Sequence, residues 1–447
     1  MAYHMLTLAT ISHGTNDMNG PVWTPGSPCP TSITAQIGTS GGDWCADEPD
    51  GPYCRFPNTT IIHTALLHCP AVEELDIYFE VGGCTGPEVD RWNLPVELLG
   101  EGQKYPPLKR LILDGYSFGG IWERKEEEEQ GTDLKLYEDE WDDYEARWSP
   151  NAYIDEKNAW VEEKQARDGE SKTNLDMWIE AMDWSQLKEL SINTRRSEMA
   201  EVASKLPQQL ISLESLHLNS PAFIQGLKEH TVKNLKWVGQ TKKGQLEHIL
   251  QLQGKSLQSA EYRCGEAVCS DWPQHVNLSA IGELAPQLQH ISLNMPRVNG
   301  TWPLKELESL ASIPSLTSME LYFRLQSDCE LYGQYLGRCH RCGKAYREWK
   351  HENWETGHCL GEQRYASPLL NSTTAQEMFT YLRLNKVGAE LREITFKAGD
   401  WAGPYDGPLR LDMFLDGKWV KVTCKADSGG DLCDYEDQYT QGTEDLW

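Results

Sequence analysis

Residues 187–192 read LKELSI, 213–218 read LESLHL, 288–293 read LQHISL and 316–321 read LTSMEL. Each places apolar residues first, fourth and sixth: Leu187, Leu190, Ile192; Leu213, Leu216, Leu218; Leu288, Ile291, Leu293; Leu316, Met319, Leu321. The fourth and sixth alternate, so they share one face of a short strand. The phrase recurs at Val72, Leu75, Ile77, at Leu108, Leu111, Leu113 and at Leu391, Ile394, Phe396. Weaker copies read Leu235 with Val238, and Leu257, Ala260, Tyr262. The first positions of successive copies lie 36, 79, 26, 22, 22, 31, 28 and 75 residues apart.

Several of these spacings fall in the roughly 20–29-residue period of a leucine-rich repeat. The spacing predicts an α/β fold: a leucine-rich-repeat-like solenoid with a parallel inner sheet, cysteine-rich caps and two long insertions. Helical spacing in SEMAEVASKLPQQL (197–210) and GQLEHILQLQG (244–254) predicts an outer helical layer. The organisation read from the chain starts with a Pro/Gly/Cys-rich N-terminal cap over 1–70. First repeats over 71–121 and an acidic aromatic insertion over 122–172 follow. Central repeats over 173–325 and a Cys/His-containing insertion over 326–390 come next. A last repeat with its cap over 391–424 leads to an acidic tail over 425–447. That tail reads as a flexible end, apart from Cys433, which can staple to Cys424.

The 447 residues carry a formal charge of −27, from 68 acidic and 41 basic side chains. Such a field repels phosphate backbones and anionic lipid, so nucleic acid and membrane surfaces are not expected partners. It keeps the chain dispersed and would draw basic partners inward. No run of apolar residues has the ~18–20 needed to span a bilayer. Residues 1–12 lack the basic start and long apolar core of a signal peptide.

Thirteen cysteines fall into three groups: Cys29, Cys45, Cys54, Cys69 and Cys84; Cys264 and Cys269; Cys329, Cys339, Cys342, Cys359, Cys424 and Cys433. A solenoid needs capped ends, and disulfide staples supply them in an oxidising compartment. The odd count leaves one thiol over if the rest pair. Sequons at Asn58, Asn277, Asn299 and Asn371 point the same way. The expected location is secreted, with a reduced cytoplasmic protein as the alternative. Cys339 and Cys342, a CxxC pair, are followed by His358 and Cys359. The three cysteines with His358, or with His351 or His340 in its place, could hold zinc; otherwise the thiols could pair, one of them with Cys329, or stay free.

The LxxLxL phrases, together with TNLDMWIEAMDWSQLKELSI (173–192) and the block over 359–401, resemble a group of fungal proteins with degenerate, F-box-type leucine-rich repeats. The resemblance covers about two thirds of the chain. It implies an adaptor or scaffold role inside the cell. The start departs from the pattern: PVWTPGSPCPTSITAQIGTSGGDWCADEPDGPYC (21–54) is no F-box helix bundle.

Residues 121–170 hold 18 acidic and 7 basic side chains, interleaved with aromatics such as Trp122, Trp141 and Trp160. They read as a solvated helix on the repeat edge, or as an arm that grips a basic or sugar-like partner. No nucleophile elbow, zinc-protease helix, phosphate loop or calcium loop is present, so no catalytic set and no cofactor are expected. The outward positions of the strands carry the binding expectation. They are Asp76, Tyr78, Arg110, Asp114, Asn193, His217, Asn219, Trp237, Glu261, Arg263, His290, Asn294, Glu320 and Tyr322. On a curved sheet these would meet an extended protein or glycan. A carbohydrate-active hydrolase on the same scaffold is the third reading; it requires carboxylates clustered in a cleft with a shifted pKa.

Overall fold

The computed structural model describes residues 22–37, 55–79, 92–119, 172–194, 196–239, 242–265, 277–297, 300–329, 365–399, 419–427 and 430–437. The chain divides into two compact units, one within residues 12–211 and one within 212–447.

In the first unit β1 (Ser32–Ile37), β2 (Glu74–Phe79), β3 (Arg110–Asp114) and β4 (Glu189–Asn193) pair in parallel, each with the next. Its helices are α1 (Thr59–His68), α2 (Asn174–Ala181) and α3 (Arg196–Lys205). In the second unit β5 (Ser215–His217), β6 (Asn234–Val238), β7 (Ser259–Arg263), β8 (His290–Met295), β9 (Ser318–Phe323) and β10 (Glu393–Gly399) form a parallel ladder. Between the strands run α4 (Pro221–Gly226), α5 (Gln245–Gln253), α6 (Leu278–Leu284), α7 (Leu304–Ala311) and α8 (Ser372–Asn385). An antiparallel hairpin of β11 (Trp419–Asp427) and β12 (Gly430–Asp437) closes this ladder. The α/β class and the mostly parallel sheet therefore agree with the repeat reading.

Register explains the leucines. Leu216, Leu235, Ala260, Ile291, Met319 and Ile394 face one another in adjacent strands, and all are buried. The sixth positions Trp237, Tyr262, Leu293, Leu321 and Phe396 form a second buried row. Apolar helix faces, such as Leu246, Ile249 and Leu250 of α5, are also buried, so the core lies between sheet and helices. The two expected helices over 197–210 and 244–254 are α3 and α5. Pro207, which cannot continue a helix, opens a 3₁₀ turn after α3.

Three expectations need correction. The copy at 235 is out of phase by three residues. Its true form is Val232, Leu235, Trp237, because Leu235 pairs with Leu216 and Ala260 and Val232 is fully buried. The 1–70 cap also holds a repeat strand. In it Ile33 pairs with Leu75, Ala35 pairs with Ile77, and Pro30 takes the buried first place. The tail, read as a flexible end, contributes β12 over residues 430–437, held to β11 and stapled by Cys424–Cys433.

Residues 120–171 lie outside the described residues, as do 330–364, so the acidic arm and the CxxC site fall there. Their described flanks meet in pairs. Asn174 N–H donates to Gly119 O (3.1 Å) and Leu175 N–H to Phe118 O (3.2 Å). Gln326 bridges Tyr365, and Ala366 N–H donates to Leu325 O (2.8 Å). Helix α8 lies within the segment read as the Cys/His insertion and leads into β10.

Cys29 and Cys69 are joined across a sequence separation of 40, Cys424 and Cys433 across 9. Cys264 and Cys329 are each in a disulfide too, with partners outside the described residues. Cys45, Cys54, Cys84, Cys269, Cys339, Cys342 and Cys359 lie outside the described residues. A cross-link that closes a longer loop removes more freedom from the unfolded chain. The Cys29→Ser/Cys69→Ser pair should therefore cost about 4 kcal/mol and the Cys424→Ser/Cys433→Ser pair about 2.5 kcal/mol. Urea unfolding of both variants checks the order; a larger loss from the second pair would contradict it.

Candidate functional site

The outward positions line up in rows because parallel strands keep one register. In the second unit one row runs His217, Lys236, Glu261, Ser292, Glu320, Thr395. The next holds Val238 and Arg263, and Asn294, Tyr322 and Lys397. In the first unit the rows read Thr34, Asp76, Ile112, Ser191 and Gln36, Tyr78, Asp114, Asn193. Trp237 is not outward: it lies in the core row, 2 % exposed, and half-buried Lys236 takes the outward place that the misphased copy had given it.

The second unit's rows form a bonded network. Arg263 Nε pairs with Glu261 Oε1 at 2.5 Å, and Lys236 Nζ lies 3.6 Å from Glu261 Oε2. Lys397 Nζ is 3.2 Å from Glu320 Oε1 and donates to the Tyr322 hydroxyl at 3.1 Å. That hydroxyl donates to Glu320 Oε2 (3.0 Å), as does Ser292 Oγ (3.2 Å). His290 Nδ1 lies 2.8 Å from Ser318 Oγ and its Nε2 3.1 Å from Ser292 Oγ. Arg263 covers the Tyr322 ring, 4.5 Å from its centroid, and the Lys397 ammonium lies 5.1 Å from the same centroid. Tyr322, Arg263 and Ser292 are 4 %, 3 % and 2 % exposed, so the centre of the network is internal. His217, Lys236, Glu261, His290 and Glu320 are half-buried.

The charges follow. Burial alone would raise the Glu261 carboxyl, but Arg263 and then Lys236 hold it below the usual range. Burial likewise opposes Glu320, and Lys397 followed by His290 outweighs it. Burial pushes His217 down to about 4, with Lys236 adding to it, and lowers His290 against the pull of Glu320. The Ser292 hydroxyl, fixed between His290 and Glu320, is inside the network. It acts as a tie between strands rather than as a group presented to a substrate.

Two asparagines after the repeat phrase have a backbone role. Asn294 Oδ1 accepts the Cys264 N–H (2.6 Å), and its Nδ2 donates to Cys264 O (2.9 Å). Asn219 does the same on Val238, accepting its N–H at 3.0 Å and donating to its carbonyl. Each amide extends the ladder by one side chain; Asn294 is buried in doing so, whereas Asn219 remains exposed.

In the first unit Arg110 lies 3.7 Å from Asp76 and 3.2 Å from Glu189. Asn193, exposed, donates to Asp114 Oδ1 at 2.7 Å. Asp114 is 5 % exposed and its Oδ2 is buried without a hydrogen bond. Burial pushes its carboxyl up to about 7, with Asp76 adding to the rise, against the bonds from Asn193 and the Gly115 N–H. Beyond the ends of β3 and β4 Glu198 accepts from Ser117 Oγ (2.8 Å), Phe118 N (2.6 Å) and Thr194 Oγ1 (2.8 Å).

Among the described sequons, Asn58, Asn277 and Asn371 are all exposed; Asn299 lies outside the described residues. Among the described residues no group of three or more His, Cys, Asp or Glu is placed to hold a metal ion. No described helix is long and apolar enough to cross a membrane. Comparison with family models, with curated proteins and with solved structures returned no match.

Two predictions follow from the charges. A carboxyl raised in the fold binds its proton more tightly folded than unfolded. Its contribution is therefore full below the unfolded value near 4 and is lost as pH rises through about 7. Over that window Asp114 should cost the native state on the order of 4 kcal/mol. Asp114→Asn should flatten the pH dependence of urea unfolding between pH 4 and 7.5; an unchanged slope would sink the assignment. His217 has the opposite sign, because its folded value is lowered: stability falls as pH drops from the unfolded value of 6.5 toward 4. His217→Gln should remove that part of the acid loss.

Breaking the network should cost more than removing it. Lys397→Met leaves Glu320 half-buried without its cation, a loss of about 3 kcal/mol. Lys397→Met with Glu320→Gln should recover part of it in a double-mutant cycle. Additive losses would show that the two residues do not act together.

Proposed function

We propose that this chain is a secreted binding protein of the leucine-rich-repeat kind, with cysteine-stapled ends and two inserted segments. It takes an extended protein or glycan partner across the polar face of its sheet. The observation that carries the reading is the alignment of hydrogen-bonding side chains in transverse rows, since a periodic polar face suits a partner that is itself extended. Disulfides at Cys29–Cys69 and Cys424–Cys433 support an oxidising compartment over the cell interior that an F-box-like adaptor would occupy.

Within this reading the contact residues are those whose side chains reach the surface. In the first unit they are Asp76, Tyr78, Arg110 and Asn193. In the second they are His217, Asn219, Lys236, Glu261, His290 and Glu320. Asp114, Arg263, Asn294 and Tyr322 hold these in place from beneath, as buried groups of the same rows.

The test is a binding screen of the full chain against immobilised oligosaccharides and cell-surface ectodomains, repeated with two variants. Asn193→Arg with Asn234→Arg alters one exposed outward strand position in each unit, Asn234 standing in register with Ser215 and Ser259. Glu283→Arg alters an exposed position on helix α6. Ligands of the wild type should lose at least tenfold in affinity to the first variant and keep it with the second. Binding that survives the sheet variant and fails with the helix variant rejects the polar face as the contact surface.

A further inference from the structure

Two sequons share one local geometry. Asn58 precedes α1 and Asn371 precedes α8, helices of 10 and 14 residues. Both backbones are extended at the asparagine, with φ −150°, ψ 162° and φ −148°, ψ 177°. In both, the side-chain Oδ1 accepts a helix N–H: Ile61 N at 2.9 Å from Asn58, and Thr374 N at 2.9 Å from Asn371. The amide plane is thereby fixed by its oxygen, and Nδ2 is the end turned away from the helix. Among the described residues Nδ2 makes no hydrogen bond at either position, and both asparagines are exposed. The hydroxyl residues two places on, Thr60 and Thr373, are exposed too.

We propose that Asn58 and Asn371 are N-glycan acceptors. The donor is a lipid-pyrophosphate-linked oligosaccharide. The bond from sugar C1 to the pyrophosphate oxygen breaks, the bond from Nδ2 to C1 forms, Nδ2 gives up one proton, and the lipid pyrophosphate leaves. The motif alone does not separate these positions from a chance Asn-x-Thr. The separation comes from the division of labour within each amide: the fold uses the oxygen and leaves the nitrogen to solvent. A glycan on Nδ2 keeps the oxygen, so the helix retains its cap and the folded chain accommodates the sugar without losing a bond. In its own unit each glycan lies at the start of a helix and not on a strand that carries the polar rows.

The assignment rests on the secretory reading above, so the experiment separates the two. The full chain, fused to a secretory leader, is translated with endoplasmic-reticulum-derived vesicles, and protease-protected chains are scored by mass and by glycosidase sensitivity. Wild type should carry glycans at both positions, and amide-cleaving deglycosylation in heavy-oxygen water should mark residues 58 and 371 as labelled aspartate. Thr60→Ala and Thr373→Ala should each remove one glycan while keeping the cap. Asn58→Asp and Asn371→Asp should do the same and unfold at the temperature of deglycosylated wild type, since an aspartate oxygen still caps the helix. Protected chains unmodified at both positions overturn the acceptor assignment. So do glycan signals that persist unchanged in the four variants. The secretory reading fails on a different result: fully reduced cysteines in chain isolated from its native source.

Discussion

The turn into most of the parallel strands depends on one carbonyl that accepts two N–H groups from the following repeat; at β10 Thr317 O takes Arg392 N. Thr31 O takes Glu73 N and Glu74 N, Glu73 O takes Lys109 N and Arg110 N, and Lys109 O takes Lys188 N and Glu189 N. In the second unit Glu214, Lys233, Gln258 and Gln289 repeat it, each on the pair that opens the next strand. The distances run from 2.7 to 3.3 Å. A slip of one residue would turn every leucine out of the core. The shared carbonyl prevents it where these strands begin, whether the chain between strands is short or, as before β4, long. Spacings as unequal as 19 residues, from Leu213 to Val232, and 79, from Leu108 to Leu187, can therefore each feed a parallel ladder.

The same register makes the polar face. Once the strands are locked, the outward side chains stand about 4.8 Å from their neighbours, within reach of direct bonds. Charge order then decides the outcome. Lys236, Glu261 and Arg263 alternate in sign, as do Glu320 and Lys397, so the row residues pair with one another. Buried ion pairs are weak sources of stability, yet each becomes costly if one partner is removed. The network therefore fixes side-chain positions more than it deepens the fold.

Much of the fold was legible because alternation and period are properties of the chain itself. Leu190 and Ile192, Leu216 and Leu218, Ile291 and Leu293, and Met319 and Leu321 are buried as their spacing requires. Legibility failed where another residue filled a leucine's place. Pro30 and Ala35 concealed the first strand, and Trp237 at a sixth position shifted its copy by three residues. A tryptophan in an outward place would make an attractive anchor; in a core row it is a large apolar filler. The rows of the site were legible as a face, but not the burial of Arg263, Tyr322 and Asn294. Alternation separates the two sides of a strand and carries no information on how tightly one side closes on itself. The asparagine bonds to Val238 and Cys264 depend on the register of adjacent strands, which a single strand's sequence does not contain.

Charge at long range and charge at contact are separate matters in this protein. The whole chain carries −27, of which residues 121–170 supply 18 acidic against 7 basic side chains. The central sheet network instead sets Lys236, Arg263 and Lys397 against Glu261 and Glu320. Fields act over about a Debye length, roughly 8 Å at physiological salt, so distant approach answers to the acidic excess. Docking answers to the local pattern of donors and acceptors. A basic partner would then gain in encounter rate, with a strong dependence on salt, while its fit would rest on hydrogen bonds that salt screens little. A neutral glycan would lose nothing in encounter to the acidic field and meet the same donors and acceptors. The response of association rate to ionic strength therefore separates the two kinds of partner on physical grounds, before either is identified.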